Sequence, residues 1–419
     1  MATRGCTARR GSTASLRSVP AVDLSALVSG AAEVVPADGL ERKLELGRPL
    51  RVKLGLDPTA GDVTLGWAVG LHKLRQFQDV GHVAVLIVGD FTARVGDPSG
   101  RTETRPRLSK EEVVGNASRL LDQFWLILDR GRTEIRYNSE WLDSLDMEAV
   151  LRLTASLTVA RILERDDFAK RYADGRPISL MEFLYPLLQG YDSVAVNADV
   201  ELGGSDQLFN LLVGRDLQRE HGQDSQVALT WPLLVGTDGV RKMSQSLGNY
   251  VAITDPPGEM FGKLSRVPDD LIAEYRRLAL DFFRDPEEAD RVAKGLSDGS
   301  LDPWREKRRL AREVVDLYHG EGAGERAENE FDRVHKQGLV PDEIPDTTIS
   351  THLVVDGRVY LPKLLAELGF AESASRARGL LQQGAVRIDG ERQIDLDVPI
   401  ERLRGSVLQV GRRRFVRLG

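Results

Sequence analysis

The chain is expected to be an α/β protein: a parallel sheet wound by helices, then an all-α segment, then a small α+β module. Three observations lead there. The runs PLRVKLGL (49–56) and VAVLIV (83–88) are apolar and of strand length, and the stretch between them repeats apolar residues at helical spacing. That is a βαβ unit, whose strands pair in parallel. From Pro256 to about Pro341 the chain is helical and charged, as in PWREKRRLAREVVDLYHG, and after it LPKLLAELGF, SASRARGLLQQGAVRIDG and a run of short strands close the sequence. At 419 residues the length exceeds one ordinary core, so two or three domains are expected.

Composition narrows the class. Apolar residues make up 41% and charged residues 29%, the balance of a globular protein in water, and no apolar run approaches the roughly 20 residues of a membrane span. A single cysteine, Cys6, excludes an intramolecular disulfide and a cysteine-rich metal site, which fits a reducing compartment, with cytoplasm expected. The net charge of −7 is uneven. Residues 351–419 hold 12 Lys and Arg against 8 Asp and Glu, which is +4 and leaves −11 for the rest. A basic module on an acidic body points to a local polyanion contact, an incidental surface bias being the competing reading.

In chain order, residues 1–20 carry four arginines, no acid and no apolar core, so a disordered leader is expected and a secretory signal is not; an organellar transit peptide shares this composition. A helical segment from near Val22 precedes the first strand, which ends at Asp57-Pro58-Thr59. From Leu65, the residues Val69, Leu71, Leu74, Phe77 and Val80 recur at helical spacing, and Gly81 stops the helix. Ligands of such sheets sit beyond the strand C-termini, so Asp57, Thr59 and Asp90 to Asp97 are expected to face one crevice. The helix start near Leu65 and Gly66 would favour a phosphate there, although glycines at helix starts often serve packing alone. GDPSGR (96–101), with Arg105 and Arg107 beyond it, reads as a mobile basic loop, and residues 110–175 as a helical insertion between the two halves of the sheet.

The stretch from Glu182 to Gln207 carries the most specific signal. Tyr185, Gln189 and Asp192 are four and three apart and share one helix face, while Leu184, Leu187, Leu188 and Tyr191 occupy the other. Short or rigid donors and acceptors on one face suit a small polar ligand, a solvated face being the competing reading. Residues 194–202 (VAVNADVEL) read as a strand ending in Gly203 and Gly204, after which Ser205 and Asp206 open the next helix as capping residues. A further buried strand with its turn follows in 226–239. Lys242, Ser244 and Ser246 in the loop RKMSQSLGN (241–249) can bind phosphate or face water.

Taken together, DPTAGDVTLGW, KLRQFQDVGH, GDFTARVGDPSGRTETR, LTVARILERDDFAKRY, EFLYPLLQGYDS, ELGGSDQ and KMSQSLGNY make the chain from about Leu46 onward resemble a bacterial tyrosyl-tRNA synthetase, a class I aminoacyl-tRNA synthetase. The resemblance implies a Rossmann-type catalytic domain (21–250), an α-helical anticodon-binding domain (251–341), a linker (342–352) and an S4-like RNA-binding domain (353–419). It implies L-tyrosine, ATP with Mg2+ as a substrate complex and tRNA(Tyr) as partners, a homodimer, no membrane and no tightly bound protein metal. Carried over by motif, Tyr185, Gln189 and Asp97 would hold the tyrosine ammonium and Asp192 the phenol hydroxyl. Asp57 and Gln207 would lie beside the carboxylate and α-phosphate, and Asp206 on the ribose. Thr59, Gly66, Gly204, Lys242 and Gln245 complete the expected ATP site, and Arg101 and Arg105 would close on pyrophosphate. RNA would meet Arg376, Arg378, Arg387, Arg412, Arg413 and Arg414.

The chain departs from the family at two signatures. Where the family carries His-x-Gly-His, it reads Thr64-Leu65-Gly66-Trp67; where the family carries Lys-Met-Ser-Lys-Ser, it reads Lys242-Met243-Ser244-Gln245-Ser246. Donors that stabilise charge on the transferring phosphate are thereby fewer, and slower adenylation is expected. A tyrosine–tRNA ligase is the first reading; a paralogue that binds tyrosine or tRNA as a regulator, or a biosynthetic enzyme using activated tyrosine, are the alternatives.

Overall fold

The computed structural model describes residues 24–97, 109–336, 344–411 and 414–419. Among the described residues, one compact unit takes in those up to Asp255 with Arg266–Leu310, and a second takes in Pro256–Ser265 with those from Ala311 onward.

The first unit is organised on a six-stranded sheet of order β1-β6-β5-β2-β3-β4. Its strands are β1 (Glu33–Val35), β2 (Arg51–Leu56), β3 (Val83–Val88), β4 (Thr133–Tyr137), β5 (Val200–Gly204) and β6 (Val227–Trp231). All neighbouring pairs are parallel except β1 on β6, with Leu54 of β2 opposite both Leu86 and Leu202. In β3, Ala84 to Val88 are all buried, which is why it reads as an unbroken apolar run. The Leu65–Asp79 helix crosses from β2 to β3 and ends before Gly81, whose φ of 97° is the left-handed region that glycine tolerates.

Three elements differ from the sequence expectation. β1 and β4 were not anticipated: both are edge strands, one of three residues and the other the polar sequence TEIRY, so neither shows a buried apolar run. Residues 110–175 therefore contribute a strand to the sheet as well as helices. The expected strand over 194–202 is, in its first part, helix. The helix runs from Leu180 to Val196, Asn197 closes it with φ at 50°, and β5 starts only at Val200. Val194 and Val196 are buried on that helix, so packing overrides the local strand preference of β-branched residues.

Beyond the sheet, helices span Pro257–Leu264, Ile272–Ala279, Pro286–Ser297, Pro303–His319 and Ala323–Lys336. The C-terminal module has its own core, in which Leu361, Leu364 and Leu365 meet Leu381, Val386 and Leu408. Within the segment expected as a linker, Asp346–Thr347 pairs in parallel with the last strand, Arg414–Leu418. Among the described residues no helix is long and apolar enough to cross a membrane.

Candidate functional site

β2 and β5 are adjacent at the point where the winding of the sheet reverses: β3 and β4 follow on one side, β6 on the other. Loops leaving such a pair of strands diverge and open a crevice. A cavity of about 430 Å³ occupies that position, the size of a site for one small molecule. The structure brings Asp57, Thr59, Thr64, Gly66, Trp67, Asp97, Tyr185, Gln189, Asp192, Gly204, Asp206, Gln207, Lys242 and Gln245 to its walls. Arg101, Arg105, Arg412 and Arg413 lie outside the described residues. Asp90, expected in the crevice, is turned away and accepts hydrogen bonds from the backbone N–H and hydroxyl of Ser139 at 2.9 and 2.6 Å.

The polar helix face is not solvated. Tyr185 and Asp192 are 6% and 3% exposed and line the cavity, while Leu187, Leu188 and Val194 pack into an apolar cluster, so the helix is buried on both sides. A capping box starts the helix: Ser179 and Glu182 satisfy each other's backbone N–H groups. The Tyr185 hydroxyl donates to Asp57 Oδ2 at 2.9 Å, and Thr92 donates to Asp57 Oδ1 at 2.7 Å. A Cβ on Gly89 would collide with Asp57 Oδ1, so only glycine lets the end of β3 approach this carboxylate. Burial first, then the nearby Asp57 and Asp97 carboxylates, pushes the Tyr185 phenol well above its ordinary range, so the hydroxyl remains a donor.

Asp192 lies on the same cavity wall and is held by two donors. Trp141 Nε1 donates to its Oδ1 at 2.8 Å and Asn138 Nδ2 to its Oδ2 at 3.3 Å. Burial raises its pKa to about 7 against the opposing pull of Lys53 and of these two bonds. Each carboxylate oxygen keeps acceptor capacity toward the cavity, suited to a ligand hydroxyl. Farther along the wall, Gln207 Nε2 donates to Asp97 Oδ2 at 3.0 Å, and Asn210 Nδ2 donates to Gln207 Oε1 at 3.0 Å and Gln189 Oε1 at 2.9 Å. These groups form an acceptor-rich surface, the chemistry that receives an ammonium.

The other end of the cavity is built from the Leu65–Asp79 helix and the loop after β6. Thr64 caps that helix, its hydroxyl oxygen accepting from the Trp67 N–H at 3.3 Å. Lys242 pairs with Asp206 at 2.8 Å. The expected capping role of Ser205 and Asp206 is therefore corrected: Ser205–Gln207 is a 3-10 turn without a side-chain cap bond, and the Asp206 carboxylate is taken by a lysine from another loop. Asn249 shapes the loop, accepting from Ser244 N–H at 2.9 Å and donating to Asp238 at 3.0 Å, while Gly248 turns it with φ at 66°. Gln245 is tied down by donation to the backbone carbonyl of Asp62.

Sequence reading missed Asn138 and Trp141, which lie in the segment taken for an insertion, and Lys53, Glu201 and Asn210, which lie beneath the wall. A signal was present for Lys53: a lysine inside a buried strand needs a buried partner. In the C-terminal module, Arg376 lies on the Ala374–Gln382 helix with Arg378, Arg387 lies on the Val386–Ile388 strand, and all three are exposed. Arg414 is also exposed and donates to the carbonyl of Phe370 at 2.7 Å.

Comparison with known proteins follows the same division. Residues 45–336 match the family model of tRNA synthetases class I (W and Y), and residues 361–397 match the S4 domain. The chain is 51% identical over 399 residues to a tyrosine–tRNA ligase of Moorella thermoacetica, covering 94% of this chain and 95% of the relative. It is 48% identical over 401 residues to the tyrosine–tRNA ligase of Geobacter sulfurreducens, covering 94% and 98%. Among solved structures, the tyrosyl-tRNA synthetase of Archaeoglobus fulgidus complexed with L-tyrosine superposes with a TM-score of 0.60 at 24% identity, covering 73% of this chain and 98% of that one. At that identity the likeness establishes the fold.

Proposed function

The chain belongs to the class I tRNA synthetases (W and Y), and from that premise we propose that it is a tyrosine–tRNA ligase, which forms tyrosyl-adenylate from L-tyrosine and ATP and passes the tyrosyl group to tRNA(Tyr). The observation that carries the amino-acid assignment is Asp192, a buried carboxylate whose donors from Trp141 and Asn138 hold it in place while acceptor capacity remains toward the cavity. In this reading the phenol hydroxyl donates to Asp192. Tyr185, Gln189 and Asp97 receive the ammonium, and Asp57 and Gln207 flank the carboxylate and the α-phosphate.

The reaction needs no protein nucleophile. A tyrosine carboxylate oxygen attacks the α-phosphorus, the bond from that phosphorus to the α,β-bridging oxygen breaks, and pyrophosphate leaves. What the protein supplies is position and charge. Thr59, Gly66 and Gly204 border the adenosine, and Asp206 accepts from the ribose hydroxyls. Lys242 leaves Asp206 to meet the phosphates, with Arg101 and Arg105 as further cations and Gln245 as a neutral donor. ATP enters as its Mg2+ complex, the metal being part of the substrate.

The segment 251–341 is read as the anticodon-binding part and 353–419 as an RNA-binding module that meets phosphates through Arg376, Arg378, Arg387 and the arginines 412–414. A cytoplasmic homodimer fits this reading; Met147 and Leu151, 74% and 62% exposed one helical turn apart, are apolar surface of the kind a second subunit covers. Tyrosine-dependent ATP–pyrophosphate exchange tests the function. Exchange with L-tyrosine and none above background with L-phenylalanine is expected; tyrosine binding without exchange would overturn the ligase reading. The measured rate also reports what Thr64, Trp67 and Gln245 cost where the family carries histidines and a lysine.

A further inference from the structure

Beneath the cavity wall lies an ion pair that no step of adenylation uses. Lys53 projects from the middle of β2 and Glu201 from β5; they are 0% and 1% exposed and 2.9 Å apart. All three ammonium donors of Lys53 are committed, to Glu201 Oε1 at 2.9 Å, Ser193 Oγ at 2.7 Å and the backbone carbonyl of Gln189 at 2.9 Å. Glu201 Oε1 also accepts from Gln189 Nε2 at 3.1 Å, while Oε2 accepts from Ser193 Oγ at 3.0 Å and from Gln226 Nε2. A buried ion pair is weak as a source of stability, since desolvation offsets much of its attraction, so its presence calls for another role.

We propose that the Lys53–Glu201 pair is a positioning element for the amino-acid pocket: it grips both the backbone and the side chain of Gln189 and fixes which end of that amide serves the ligand. With Nε2 held on the Glu201 carboxylate, Oε1 is the end of Gln189 left for the cavity. Asn210 then reads the same orientation from the other side, donating to Gln189 Oε1 and Gln207 Oε1. The chain Lys53–Glu201–Gln189–Asn210–Gln207–Asp97 thus presents acceptors rather than N–H groups along one wall, which selects a ligand bearing a cationic amine. Were Gln189 reversed, its amide hydrogens would oppose an ammonium. The pair acts through Gln189 and touches no reacting atom.

This inference rests on the reading that the cavity binds tyrosine. Its test is the double variant Lys53→Met/Glu201→Met, which removes both charges together with the acceptor of Gln189 Nε2 and leaves no lone buried ion. Binding of L-tyrosine is compared with that of 3-(4-hydroxyphenyl)propionate, which keeps the phenol and carboxylate and lacks the amine. The expected result is a loss of about tenfold for tyrosine, as for one charge-assisted bond, with the amine-free ligand unchanged within about twofold. The tyrosine KM in pyrophosphate exchange should rise in parallel while kcat at saturation holds. Equal loss for both ligands would reduce the pair to general structural support, and no loss for either would remove it from the pocket; both results overturn the proposal. If the double variant does not fold, Glu201→Gln alone, which keeps an acceptor for Lys53, must show the same ligand-selective loss at smaller size, and its absence is equally decisive. A wild-type protein that fails to bind tyrosine would instead take down the pocket reading itself.

Discussion

Asp192→Asn keeps the volume of a buried group on the cavity wall and removes its charge. In the native site the two oxygens accept from Trp141 at 2.8 Å and from Asn138 at 3.3 Å. Asn138 cannot reverse its amide to suit a nitrogen introduced at position 192, because its own oxygen accepts from the Phe91 N–H at 2.9 Å and its nitrogen also donates to Thr92 at 2.9 Å. The variant therefore loses the charged acceptor for the phenol and gains a donor facing a donor. A hydrogen bond to a charged group contributes about 1.5–3 kcal/mol, so tyrosine binding should weaken roughly 10- to 150-fold, while phenylalanine, which has no hydroxyl to offer, should change far less. The native site also carries a pH signature. With the Asp192 pKa raised to about 7 by burial, the carboxylate is protonated as pH falls through that value, and tyrosine affinity should drop between about pH 8 and pH 6. The D192N protein has no such group and should lose this component. Calorimetric titration of both proteins with both amino acids across that range supplies the measurement. An unchanged tyrosine-to-phenylalanine ratio in the variant, or an identical pH profile, would refute the assignment of Asp192 to the phenol.

Two further outcomes concern the phosphate end of the cavity and the basic module. Lys242→Ala breaks the pair with Asp206 and should lower the rate of pyrophosphate exchange by about 10²- to 10³-fold while leaving tyrosine affinity near its native value, because in the proposed reading this cation acts on developing phosphate charge; rapid-quench measurement of adenylate formation would show it, and an equal change in tyrosine binding would contradict it. Arg376→Ala and Arg387→Ala, both on the exposed surface of the C-terminal module, should each weaken tRNA binding and reduce the slope of log K against log salt by about 0.7–0.9 per lost phosphate contact; filter binding at several salt concentrations reads the slope, and an unaltered slope would place the RNA elsewhere.

Most of the frame was legible in the chain. β3 and the Leu65–Asp79 helix announce themselves because burial on both faces, or on one face at helical period, leaves an apolar pattern. The motifs also nominate the pocket residues between Asp57 and Gln245, and the structure brings those it describes, Arg101 and Arg105 lying outside the described residues, to the walls of one cavity. The edge strands β1 and β4 escaped because an edge needs no such pattern, and the end of the Leu180–Val196 helix escaped because a β-branched sequence reads locally as a strand.

The partner that each polar group takes is a property of the folded chain alone. Asp206 and Lys242 are recognisable in the sequence only as polar residues in turns; their pairing at 2.8 Å depends on two loops 36 residues apart meeting. In the same way helical spacing places Gln189 on a polar face but says nothing of Lys53 beneath it, 136 residues away. Periodicity is a local property, carried by neighbours along the chain. Hydrogen bonds and ion pairs inside the core are made between strangers in sequence, and the cost of burying a charge alone dictates only that a partner must exist, not where along the chain it will be found.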